Sequence, residues 1–574
     1  MNGPAAGGAT MPLNVFAEDP DTVGFVSRYD NYYVNFLRER PYIRMGKVLS
    51  GNYVVSYTNR ANMGKLSNEF NSYSIAAVPL VMGLLDRPNL EAAGIAQVQQ
   101  QPYLSLRGGG VLLGLVDTGI DYTNPVFIYE DGTTKIRYLW DQTISGTPPN
   151  SFPVGTEYTA QEINQALRSD NPRSVIPSQD TVGHGTFLAS LMGARGRPEE
   201  YGAAPDADFV VVKLRGASAY TREYHLVPPA QQNAFEATDA MLGIEYILEK
   251  ALALNMPVAI CFALGSNRGG HDGFTVIEEY MSFVSYRTGV CLCAAAGNES
   301  QARHHTQGVI PGTDQSQNIN ITVSEGAGDI WLSLVNTASD RLSVSVKSPT
   351  GEMVRRIPAK NGLIMTTKLV LERSSIQIEY FYPVEGSGGQ QTYIKIFDPT
   401  PGIWAVTAYG DIILNGTYHC WLPITGFVSP GVEFLTPVPY TTVVVPATAL
   451  GVITCGAYSS ANNALYMDSS WGPTRLPMSS PELVAPGVDV GGIFPGGPGT
   501  MTGTSVATAI TAGACALMLQ WGIVEGNDPY VNTPRIRAFL IRGCERDPNI
   551  LYPNEQWGYG RLSLQGAFNQ MREI

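Results

Sequence analysis

The fifteen residues from Ser505 to Leu519 carry no charge and are rich in Ala and Leu. A helical stretch of that composition is apolar on every side, so it has to be packed within a large core. A chain of 574 residues has ample material for one. The stretch opens Gly503-Thr504-Ser505-Val506-Ala507, with a Gly two residues before a Ser. A Ser at a helix start has its hydroxyl at the positive dipole end, beside N–H groups that have no intrahelical partner. Such a place supports an attacking oxygen and its oxyanion. It equally suits a helix cap, and caps are the commoner use of Ser there.

Two further stretches decide between these readings. Residues 110–116, Gly-Val-Leu-Leu-Gly-Leu-Val, read as a buried parallel strand. Asp117 closes that strand, at the end where open α/β sheets carry their sites. Residues 180–186, Asp-Thr-Val-Gly-His-Gly-Thr, place His184 at the start of a helix between two glycines that allow close approach of other chain. The three residues occur in the order Asp117, His184, Ser505. A hydroxyl nucleophile needs a base, and the base needs an anion to fix its tautomer.

These motifs resemble those of the subtilisin-like serine proteases. The resemblance rests on V-D-T-G-I-D around Asp117, G-H-G-T around His184, A-A-A-G-N-E around Asn298 and G-T-S-V-A around Ser505. Supporting text is Val484-Ala485-Pro486-Gly487 and Ser470-Trp471-Gly472-Pro473. Residues 131–143, D-G-T-T-K-I-R-Y-L-W-D-Q-T, and G-T-S-V-A-T are closer still to the Csp-type germination proteases of clostridial spores. The resemblance implies Ser505 as nucleophile, His184 as general base, Asp117 as its orienting anion and Asn298 as oxyanion donor. It implies substrate binding by extended pairing with Ala263, Leu264 and Gly265, with Ala295 and Gly297 on the opposite wall. It further implies a zymogen-activating endopeptidase of spore germination whose N-terminal prodomain is cut off by the enzyme itself. A pseudoprotease acting as a binding scaffold is the alternative; the filled triad positions favour activity.

The expected class is α/β: a parallel-sheet catalytic domain with an N-terminal α/β prodomain and an inserted β-sandwich or jelly roll. Residues 1–20 read as loose, 21–88 as prodomain, 89–308 and 438–574 as the two parts of the catalytic domain, and 309–437 as the insertion. Within the prodomain, 21–42 reads as helical, 52–57 and 73–81 as strands, and 63–70 as a helix. Residues 129–141 read as a hairpin turning at Asp131-Gly132. Eight short alternating runs after residue 309 suggest the sandwich. Self-processing is expected between about Gly83 and Ala92, though not at Arg87-Pro88, where proline lacks the N–H.

The net charge of −13 speaks against nucleic acid or anionic membrane as a partner. No basic and apolar leader is evident, and no apolar run suggests a membrane span, so a cytoplasmic or spore-associated location is expected. Seven scattered cysteines fit a reducing compartment. Cys291 and Cys293 are read as facing opposite sides of a strand and so as no metal pair. No cofactor or metal is expected, and residues 193–200 lack the Asn-rich text of the familiar calcium loop. His304 and His305 are read as surface loop, His225, His271 and His419 as lacking a ligand partner, and Asp121 as a turn residue.

Overall fold

The computed structural model describes residues 12–70, 78–84, 91–99, 101, 104–196, 202–476 and 478–571. Its centre is a nine-stranded sheet. Seven strands run parallel, in the spatial order Leu483–Pro486, Ile453–Ser459, Val290–Ala295, Val258–Phe262, Leu112–Asp117, Asp208–Lys213 and Ile136–Asp141. Short antiparallel strands, Ala464–Leu465 and Thr156–Thr159, flank them. Both faces are covered, which is why these strands read as continuous apolar runs. Leu112 and Val116 pack with the helix Ala237–Leu254. Leu113 and Leu115 face the other way, toward the helices His184–Gly193 and Thr504–Leu519.

Every residue of Thr504–Leu519 is buried. By length and composition the helical run Thr504–Val524 is apolar enough to cross a membrane, contrary to the sequence expectation, yet 83% of its most apolar window lies inside the protein. Cys291 and Cys293 also correct the sequence reading. Residues two apart on a strand share a face, and both thiols point at this helix, where Cys293 Sγ lies 3.8 Å from Cys515 Sγ. The three sulfurs lie within 4.8 Å of one another. Burial pushes all three thiols well above their ordinary pKa, which disfavours the thiolate a metal would need.

The N-terminal unit is a three-stranded antiparallel sheet, with Tyr53–Asn59 between Thr22–Arg28 and Ile43–Leu49. Helices Asn31–Arg38 and Met63–Phe70 accompany it. The expectation of helix across 21–42 fails in its first half. Val23, Phe25 and Val26 are all buried, so a strand enclosed on both faces has lost the alternation that would have announced it. Residues 13–18, expected to be loose, form the helix Leu13–Glu18. The expected strand at 73–81 falls largely on 71–77, outside the described residues; a strand Val81–Leu84 follows. The hairpin expected at 129–141 is reduced to one bridge, Ile128 to Thr134, before Ile136–Asp141 joins the main sheet in parallel.

Between His305 and Phe434 two antiparallel sheets, of six and five strands, close over a shared apolar core that includes Trp404, Leu332 and Ile394. The insertion begins at strand His305–Val309 and returns along Thr417–Trp421, and these two strands pair with each other. Entry and exit are therefore neighbours, and the main sheet resumes undisturbed at Ile453–Ser459.

Candidate active site

Asp117 ends its strand, and His184 opens the helix His184–Gly193. His184 Nδ1 lies 2.7 Å from Asp117 Oδ1, and both side chains are buried. That contact leaves the imidazole Nε2 as its other working nitrogen. The approach is close enough to need glycine. A Cβ on Gly185 would meet the Gly119 carbonyl at 2.2 Å and Asp117 Oδ1 at 3.2 Å. Ser505 sits in the first turn of Thr504–Leu519, which packs against the His184 helix. Gly503, not Ser505, is the helix cap. Ser505 Oγ donates toward the Ala263 carbonyl at 3.5 Å.

Asn298 follows strand Val290–Ala295 after a bend at Gly297, whose φ of 101° suits glycine. Its Oδ1 accepts from the backbone N–H and the hydroxyl of Thr504, each at 3.2 Å. With Oδ1 so held beside the residue before Ser505, the amide Nδ2 is left as donor. Ser470 fixes the same segment: its hydroxyl accepts from Glu299 N at 3.0 Å, and its N–H donates to the Gly297 carbonyl at 2.8 Å.

The strand at the expected substrate edge is already paired. Leu264 and Gly265 align antiparallel with Leu84 and Gly83. The strand Val81–Leu84 in turn pairs on its other side with Phe235–Glu236. Leu264 lies next to Ala263, the residue whose carbonyl Ser505 Oγ reaches. Ala295 shares an apolar cluster with Val81.

Three supporting residues escaped the sequence reading. Asp180 binds both arms of the site. One carboxylate oxygen accepts from Thr118 Oγ1 at 2.9 Å and Gly183 N at 2.7 Å; the other accepts from Thr186 N at 2.8 Å and Thr186 Oγ1 at 2.7 Å. Glu299 accepts from Thr425 N and from His304 Nδ1, each at 2.9 Å. Ser470 is the third. An Asp four residues before a helix-opening His was the available signal for the first; Ser470, and Glu299 through Thr425, meet partners remote in sequence. His304 and His305 are buried rather than on a surface loop. His271, His305 and His419 gather around Trp421, with His305 Nε2 3.1 Å from His419 Nδ1. Asp121 accepts from Thr123 N at 3.2 Å and Thr123 Oγ1 at 2.6 Å, a turn contact. Residues 197–200 of the doubted calcium loop lie outside the described residues.

The model of the Subtilase family matches residues 108–350 and 435–560. The chain belongs to the subtilase family. This subtilase is a serine endopeptidase. It is similar in structure to the CspB protease of Clostridium perfringens, with 30% identity and a TM-score of 0.75; the match covers 84% of this chain and 98% of that one. The epidermin leader peptide processing serine protease of Staphylococcus aureus also matches, with 13% identity and a TM-score of 0.44, over 96% of this chain and 99% of that one. No curated protein sequence matches.

Proposed function

We propose that Ser505 attacks the scissile carbonyl with His184 as general base, forming an acyl-enzyme that water then hydrolyses. His184 returns the proton to the leaving amine, and Asp117 stabilises the imidazolium. The Ser505 backbone N–H and Asn298 Nδ2 bind the oxyanion; loss of such an amide costs a subtilisin roughly a hundred- to a thousandfold in turnover. The observation that carries this reading is the 2.7 Å contact between His184 and Asp117, beside the helix that begins at Ser505.

The first bond cut is the chain's own. The strand Val81–Leu84 occupies the substrate edge at Leu264–Gly265, one residue from the carbonyl that Ser505 reaches. Tethering gives the tail a high effective concentration, so a single turnover needs little affinity. Cleavage falls shortly after Leu84; the freed prodomain stays bound through its sheet face, while the cut tail can leave the cleft to added substrate. The likeness to CspB supports limited proteolysis of a zymogen in a spore as the later role, and the seven free, buried cysteines suit a reducing location.

The test is intact mass of freshly purified protein, together with a serine-directed fluorophosphonate. Wild type is expected as two fragments, with label on Ser505. Ser505→Ala and His184→Ala are expected as single unlabelled chains. Wild type that stays intact and unlabelled would turn the reading toward a scaffold with a blocked cleft.

A further inference from the structure

The strand Val81–Leu84 is enclosed on both faces. Met82 points inward and is fully buried beside Leu264 and Phe235. Val81 and Gly83 share the opposite face. That face is covered by Ile424 and Phe427, from the loop between the sandwich strands Thr417–Trp421 and Glu433–Phe434. A Cβ placed on Gly83 would lie 2.5 Å from Phe427 Cε2, 3.2 Å from its Cζ and 3.1 Å from Ile424 Cδ1. We propose that Phe427 and Ile424 are specificity residues that admit only glycine at the cleft position held here by Gly83. The proposal rests on Val81–Leu84 lying as a substrate lies.

The exclusion works only if the roof cannot lift, and its backbone is tied down on several sides. Thr425 N donates to Glu299, the residue after Asn298, at 2.9 Å. Asn267 Nδ2 donates to the Leu422 carbonyl at 3.1 Å, and Leu422 N to the His304 carbonyl at 2.9 Å. The Gly426 carbonyl accepts from Gln231 Nε2 at 3.3 Å. Phe427 closes a turn onto the Ile424 carbonyl at 2.9 Å, and its ring is only 7% exposed, packed against Val81, Val227 and Val444. Moving the ring therefore disturbs a packed cluster, and moving the loop pulls on the segment that carries Asn298. An added methyl in so tight a place is resisted. The recognised substrate is thus an extended peptide with an apolar residue at the Met82 position followed by glycine.

Two quenched-fluorescence peptides with the sequence of residues 78–92, differing only in Gly or Ala at 83, test this with the full chain. Wild type should favour the Gly peptide roughly tenfold or more in kcat/KM. Phe427→Ala should bring that ratio to within about threefold, and Ile424→Ala should move it part of the way, which serves if the first variant folds poorly. The ratio, not the absolute rate, is the readout. Equal cleavage of both peptides by wild type, or an unchanged ratio in folded Phe427→Ala, would overturn the proposal. A chain that discriminates between the peptides yet never cuts its own tail would refute self-processing and leave the roof standing. A chain that cuts itself but treats the peptides alike would do the reverse.

Discussion

Asp180 has as direct a hold on the site as any residue outside the proposed triad. Its two oxygens take five hydrogen bonds, from Thr118 of the Asp117 loop and from Val182, Gly183 and Thr186 at the start of the His184 helix. It is 5% exposed, so water cannot replace it. Asp180→Ala leaves buried donors on Gly183 and Thr186 without acceptors, at about 1–3 kcal/mol each. The expected result is a lower urea midpoint. Turnover should fall too, since a shift of about 1 Å in the imidazole costs roughly a hundredfold. Asp180→Asn keeps one acceptor oxygen and should fall between the two. Wild-type turnover in a folded Asp180→Ala chain would show that Gly185 and Thr118 position His184 without it.

At the scale of elements, the paired strands His305–Val309 and Thr417–Trp421 hold a group of imidazoles that burial keeps neutral. Burial pushes His419 down to about 3, helped by Arg475 and His271. His305 and His271 are also depressed, chiefly by burial; the nearby Arg475 is paired with Asp272. A base depressed in the folded state is charged first in the unfolded one. Stability is therefore complete above about pH 6.5 and drains as pH falls toward 3, by about 1.4 kcal/mol per pH unit for each such group. Urea midpoints measured from pH 7 to pH 4 should fall accordingly, and His419→Gln should flatten the slope. The same strands show where sequence reading reached and where it stopped. The Asp117, His184 and Ser505 motifs are legible because each is a local signal, a strand end or a helix start flanked by glycine. The imidazole group is not, because His271 and His419 meet only across the boundary between sandwich and main sheet. Thr22–Arg28 was hidden by burial on both faces, while Met63–Phe70 lies where its pattern put it. The Cys291–Cys293 pair was legible in principle: strand periodicity puts the two on one face.

Across the whole molecule, Arg28 of the N-terminal sheet reaches Glu279 of the catalytic part at 3.0 Å and Glu385 of the sandwich at 2.7 Å. The arrangement joins three units, yet Arg28 is 47% exposed, and exposed pairs contribute only about 0–1 kcal/mol. Apolar contact outweighs it. Val26, Val55, Tyr57 and Met82 are buried in one cluster with Ala240, Met241 and Ile244 of the central helix. Salt screens the first interaction and leaves the second untouched. Once cut from the chain as proposed, the N-terminal unit should therefore co-elute with the rest in 1 M salt, and Arg28→Ala should not release it. Separation in salt would put the ion pairs in charge instead.

The enclosed strand Val81–Leu84 also bears on which neighbours this protease can live beside. A chain lying there is paired along both edges and covered above and below. A folded protein cannot offer such a stretch without first unravelling it, because a segment still attached to its own sheet or helix has no free edges to give. If substrates lie as this strand lies, only tails and linkers that already hang loose can be threaded in. On that reading the enzyme should sit among folded proteins and leave them whole, its restraint built into the shape of the doorway.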